Sequence, residues 1–134
     1  MQRVIVDTGP IVALHNRRDK WHLRSLAFFD RFSGVAHTTW AVITEAWHLL
    51  PSHRRGGLLP WLEAGGVRVG HIPESRLREI DSLVKRYADT PMDVADATLI
   101  WLAEREQLTD IVSIEGGFET YRTASGARFV NHLR

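Results

Sequence analysis

The 134-residue chain contains no cysteine. That absence removes disulfides, thiolate nucleophiles and zinc–thiolate sites together. Long apolar runs are missing too: none approaches the ~20 residues of a membrane-spanning helix. No basic segment followed by an apolar core and a small-residue cleavage site opens the sequence, so no export signal is expected and the cytoplasm is the expected location. Internal repeats, low-complexity tracts and long linkers are absent, which leaves residues 1–134 to be read as one domain around one core. Neither sign of charge dominates. A net charge of +1 excludes a strongly basic nucleic-acid glue, although a local patch escapes such a total. What is present, 44% hydrophobic and 25% charged residues, matches an ordinary globular protein.

The patterning alternates between two periods. "RVIVD" (3–7) is a β-branched run closed by an acid, read as a buried strand, and "PIVALHN" after it as a short helix with Pro10 at its first position. Helical spacing over 19–32 and in "TTWAVITEAWHLL", which Pro51 stops, predicts two further helices, with "GVAHTT" (34–39) as a strand between them. A helix over 56–64 closed by Gly65-Gly66, a strand "VRVGHI" (67–72), a helix over 74–88 and another from about Asp93 to Gln107 follow. "DIVSI" and "ARFVNHL" read as the last two strands. Strands interleaved with helices predict an α/β sandwich around a mostly parallel sheet.

The acids fall at telling places. Asp7 closes the first predicted strand, and Glu115 follows "DIVSI". Glu45 has Ala41, Val42 and Leu49 one helical turn away, and Asp96 has Leu99 and Ile100. In open parallel sheets ligands collect at the carboxyl ends of strands, where helix N-termini also lie. Carboxylates converging there repel one another and resist ionisation unless a divalent cation joins them. Mg²⁺ takes hard oxygen ligands and retains several waters, so a few carboxylates suffice. Each acid also has a plainer reading. Asp7 suits an Asp-Thr-Gly turn, and Glu115 an exposed loop before a glycine pair. Glu45 has His48 or an arginine as alternative partners. Asp93 suits a helix N-cap and Asp96 the favourable end of the helix dipole.

Four segments resemble the PIN-domain ribonucleases in order along the chain. "VIVDTGPIVAL" is similar to the opening strand, acid and short helix of that family, and "TTWAVITEAWHLL" to the helix with the second acid, here Glu45. "MDVADATLIWLAE" carries the third acid within Ala-Asp-Ala, here Asp96, and "IVSIEGGFETYR" resembles the late strand followed by an acid and a phenylalanine. Glu115 stands where the family more often has aspartate. The resemblance implies a PIN-like α/β/α sandwich and a Mg²⁺- or Mn²⁺-dependent endoribonuclease. Asp7, Glu45, Asp96 and Glu115 would be the catalytic acids and metal ligands, Asp93 an accessory ligand or a cap, and Thr8 and Ser113 hydroxyls that orient them. It further implies cleavage by an activated water, leaving 5′-phosphate and 3′-hydroxyl ends. Compact members of this size resemble VapC-like toxins of type II toxin–antitoxin pairs: homodimers held by a small antitoxin, many of them cutting structured RNA such as tRNA.

RNA requires cations for its backbone. Arg17, Arg18 and Lys20 follow the first motif, and Arg54 and Arg55 follow the Glu45 helix; both clusters are candidate RNA contacts or ordinary solvated faces. Trp47 and Trp61 with "GLLPWL" offer a partner groove, while for Trp47 core packing is the simpler expectation. A PIN-like fold whose acids hold no metal, binding RNA or protein without cutting, is the competing reading. A haloacid-dehalogenase phosphatase requires Asp-x-Asp where Asp7-Thr8-Gly9 stands, and the paired acids and later lysine of a receiver domain are not found.

Overall fold

Val4, Ile5 and Val6 are each fully buried, and the rest of the chain is arranged around them. A strand apolar on both faces belongs at the centre of a parallel sheet covered by helices, and β1 (Gln2–Val6) holds that place. The computed structural model describes residues 2–133. Its sheet adds β2 (Gly34–Thr39), β3 (Arg68–Gly70), β4 (Asp110–Val112) and β5 (Val130–Asn131), in the order β3-β2-β1-β4-β5, with every pairing parallel. The expected α/β class and the parallel sheet are therefore both found.

Parallel neighbours need long crossovers, and helices supply them. They are α1 (Thr8–His15), α2 (His22–Arg31), α3 (Trp40–Leu49), α4 (Leu58–Glu63), α5 (Leu77–Arg86), α6 (Val94–Glu106) and the short α7 (Gly117–Thr120). α6 packs on β1, β2, α3 and α5, and eight of its thirteen residues are buried. An internal helix of this kind is apolar on most faces, which is why "VADATLIWLA" reads as it does.

The structure corrects several boundaries. Pro10 is the third helical residue of α1, not the first; no amide there has an intrahelical partner to lose. α2 begins only at His22 and buries little: Ser25 alone is fully buried in it, while Leu23 is 75% exposed. Its phenylalanines Phe28 and Phe29, with Phe32 just past its end, pack partly on the core instead. β4 and β5 are shorter than the runs "DIVSI" and "ARFVNHL": past Val112 the partner of Ser113 is the Asn131 side chain, and Arg128 is taken by an antiparallel bridge to Arg122. Trp47 is not in the core: it is 37% exposed and lies beneath the Arg55 guanidinium, 5.4 Å from ring centre to Cζ. Trp61 is the one that packs inward, edge-on to Phe29 and His15.

Candidate active site

From β1 the chain runs outward through β2 to β3, then returns across β1 to build β4 and β5 on its other side. The carboxyl ends of β1 and β4 therefore flank the point where the winding reverses, the place where open α/β sheets form a crevice. Asp7 follows β1 there, and its amide extends the pairing by donating to Val112 O at 3.0 Å. Asp7 occupies the N-cap position of α1, yet its carboxylate makes no capping bond. It is buried and accepts instead from Ser113 Oγ at 2.8 Å. A plain turn or cap reading does not account for that orientation. Gly9 matters for the same reason: a Cβ there would stand 3.2 Å from Ile114 Cβ, so its absence lets α1 lie close to the end of β4.

Glu45 projects from the middle of α3, half-buried, and its partner is neither His48 nor an arginine but the Thr8 hydroxyl, which donates to Oε1. Thr8 and Ser113 thus each hold one acid. At the start of α6, Asp93 is the N-cap: Asp96 N donates to Asp93 Oδ1 at 2.8 Å and Asp93 N to Asp96 Oδ2 at 3.3 Å, a reciprocal capping box. The capping role of Asp93 is therefore real. It also stands within electrostatic reach of Asp7, Glu45 and Asp96. Glu115 is exposed on the turn after β4, where its charge is felt by Asp7, and it lines with Asp7 and Asp96 a cavity of about 250 Å³.

The acids perturb one another. Burial, with a smaller push from Glu115 and Asp93, raises the Asp7 pKa to about 6 against the pull of its hydrogen bonds. Burial and then the charges of Asp7 and Asp93 raise Asp96 to about 7. Glu45 is raised by burial and by Asp93 and Asp7, with Thr8 opposing. Among the described residues no lysine, arginine or histidine forms an ion pair with Asp7, Glu45, Asp93, Asp96 or Glu115. A pocket of hard oxygens with no protein counter-ion suits a hard divalent cation. The side chains do not already form a cage, since among the described residues no three His, Asp or Glu are grouped so as to grip one ion. Mg²⁺ retains waters and needs only one or two carboxylates, so the donor set fits it.

The cations lie elsewhere. Arg17, Arg18 and Lys20 are exposed on the turn after α1, which leads away from Asp7 for about 12 Å at 1.5 Å per residue. Arg55 is occupied: its Nε donates to the carbonyls of Trp47 and Leu50 at the end of α3, while Arg54 sits half-buried beside it. His15, His37 and His132 stand outside the pocket. His132 pairs with Asp110 at 2.7 Å, His15 Nδ1 contacts Ile11 O, and buried His37 has no partner for Nε2 among the described residues.

Two residues near the acids escaped the sequence reading. Asn131 uses its side-chain amide as a stand-in for a strand: Ser113 N donates to Oδ1 at 3.1 Å and Nδ2 donates to Ser113 O at 2.9 Å. Tyr121, buried, donates to Pro91 O at 2.7 Å and lies 3.4 Å from Asp96 Oδ2; burial and the charge of Asp96 hold its phenol protonated. A polar residue in an apolar strand run was a signal for Asn131; nothing local marked Tyr121.

No protein-family model and no curated protein matches the sequence. Among solved structures the chain is similar to VapC20 of Mycobacterium tuberculosis, a toxin that cleaves the sarcin–ricin loop, with a TM-score of 0.73 and 20% identity over 84% of this chain and 90% of that one. The likeness spans nearly the whole of both chains, and it shows that this chain has the PIN-like fold of a VapC toxin, as the sequence resemblance implied.

Proposed function

We propose that this chain is a Mg²⁺- or Mn²⁺-dependent endoribonuclease and the toxin of a toxin–antitoxin pair. The observation that carries the reading is the convergence of Asp7, Glu45, Asp96, Asp93 and Glu115 at the reversal point of the sheet, with no ion-pairing cation among the described residues. Asp7, Glu45 and Asp96 would hold the ion, with Asp93 and Glu115 at the rim. A bound ion supplies Lewis acidity at the phosphodiester and a water of lowered pKa. Thr8 and Ser113 each fix one carboxylate oxygen, of Glu45 and Asp7 respectively. In the hydrolysis the water oxygen bonds to phosphorus, the bond to the 3′-oxygen breaks and that oxygen takes a proton. The products are a 5′-phosphate and a 3′-hydroxyl.

Structured RNA such as tRNA is the proposed substrate, in keeping with the VapC20 neighbour, which cleaves the sarcin–ricin loop. A cognate antitoxin, a homodimer, one PIN-like domain over 1–134 and a cytoplasmic setting belong to the same proposal. Among the described residues no helix is long and apolar enough to cross a membrane. The competing reading, a PIN-like module that binds RNA or protein without cutting, has one observation in its favour: the acids are not grouped to grip an ion as they stand.

The test is incubation of purified, antitoxin-free protein with small RNA and Mg²⁺ or Mn²⁺, beside Asp96→Asn and an EDTA control, with the product ends mapped. Cutting that needs metal and Asp96 and leaves 5′-phosphates is the expected result. Ends bearing 2′,3′-cyclic phosphate would sink the mechanism, and folded protein that binds neither ion would favour the binding module.

A further inference from the structure

The segment "EGGFETY" (115–121) is only partly absorbed by the proposed chemistry, since it needs just the acid. The structure gives its last residue a task. Tyr121 caps the C-terminus of α7 and is 1% exposed, its ring edge-on to Tyr87 at 5.1 Å and to Phe118 at 5.2 Å. Packing on two sides fixes the ring, and so fixes where the hydroxyl points. That hydroxyl has one proton and two acceptors: Pro91 O at 2.7 Å, in the loop that enters α6, and Asp96 Oδ2 at 3.4 Å, in its first turn. The same Oδ2 accepts from Asp93 N, so the Asp96 carboxylate is braced on one oxygen while Oδ1 has no protein donor among the described residues.

The glycines before Tyr121 fit this arrangement. A Cβ at Gly117 would stand 3.1 Å from Tyr121 Cε2 and 3.2 Å from its hydroxyl oxygen, tighter than ordinary van der Waals contact. Any side chain at 117 would therefore press on the edge of the ring that carries the hydroxyl. Residues 117–121 leave room for one phenol and spend it on the loop that holds Asp93 and Asp96.

We propose that Tyr121 is a positioning residue of the carboxylate pocket, tying the Pro91 carbonyl and the Asp96 carboxylate so that Asp96 faces Asp7 at a fixed distance. This rests on the reading of the pocket as a metal centre. Tyr121 lines the cavity beside Asp7 and Asp96, and it acts through Asp96. Groups that orient metal ligands from behind change affinity or rate by about tenfold to a hundredfold when removed.

The experiment is a Mn²⁺ titration followed by electron paramagnetic resonance on wild type, Tyr121→Phe, Gly117→Ala and Asp96→Asn, with kcat and KM for a hairpin RNA that the wild type cuts. Tyr121→Phe keeps the ring and removes only the hydroxyl, and Gly117→Ala displaces it by a second route. Both are expected to weaken Mn²⁺ binding by about tenfold and to lower kcat by a similar factor with KM unchanged. A Tyr121→Phe protein that binds Mn²⁺ within twofold of wild type overturns the proposal while leaving the metal centre intact, even if it melts earlier. A folded wild type that takes up no Mn²⁺ overturns the metal centre and this proposal with it.

Discussion

The two edges of the sheet treat acidic residues in opposite ways. Near the starts of β1 and β4, Glu106 at the end of α6 meets Arg3 at 2.6 Å, and Asp110 meets His132 at 2.7 Å. At the other edge five carboxylates gather and, among the described residues, none has a cationic partner. The first edge obeys the ordinary rule that a charge leaving water takes a partner. The second breaks it, and the raised pKa values of Asp7 and Asp96 record the strain. Stability alone would favour mending the second edge; a cation bound there, as proposed, would do so.

The comparison breaks most visibly at Asp7. Asp7→Asn keeps an oxygen to accept from Ser113 but removes the buried charge. RNA cleavage is expected to fall by at least about a hundredfold, while metal-free stability at pH 8 rises by up to about 3 kcal/mol. Cleavage assays and chemical denaturation on one preparation would see these opposite signs; a variant that loses stability and activity together would erase the contrast between the edges.

The next effect is a pH dependence. Asp7 and Asp96 are raised from 3.8 to about 6 and about 7, so between those limits the folded protein binds more protons than the unfolded chain. Their contribution is full below pH 3.8 and is lost as pH rises through 6 to 7. The difference in metal-free stability between wild type and Asp96→Asn should therefore widen against the wild type from pH 4 to pH 8. Mg²⁺ should narrow it again, because the ion binds the ionised acids of the folded state. Thermal melts across that range, with Mg²⁺ and with EDTA, would show it; a difference that stays flat with pH would remove the strain from the second edge.

At the first edge the effects are small. Arg3 and Glu106 are each more than a third exposed, so Arg3→Ala is expected to cost no more than about 1 kcal/mol and to leave Mn²⁺ binding unchanged. Smaller still is the double change Arg17→Ala, Arg18→Ala on the turn after α1. If these side chains meet RNA phosphates, the salt dependence of RNA binding should flatten by roughly one to two in slope with no change in melting; an unaltered slope would class them as a solvated face.

Much of this was legible in the residues because it is local. β-branched runs made β1 and β2 readable, and β2 occupies the run "GVAHTT" as expected. Helical spacing placed α3, α5 and α6 to within a few residues. Asp7, Glu45 and Asp96 stood out because an acid at a strand end or on an apolar helix face carries a solvation cost that needs a reason. Trp47 misled for the opposite reason: a tryptophan can be covered by an arginine at the surface as well as by a core.

The sequence by itself determined the class of fold and nominated the acids, since hydrophobic periodicity and the cost of burying charge belong to each segment alone. Only the tertiary structure decided which of those acids meet, because β1 and β4 lie more than a hundred residues apart and become neighbours only in the sheet. It also decided who holds them. Asn131 reaches Ser113 across 18 residues, and Tyr121 reaches Asp96 across 25 and Pro91 across 30, through contacts between separate elements that no local spacing encodes.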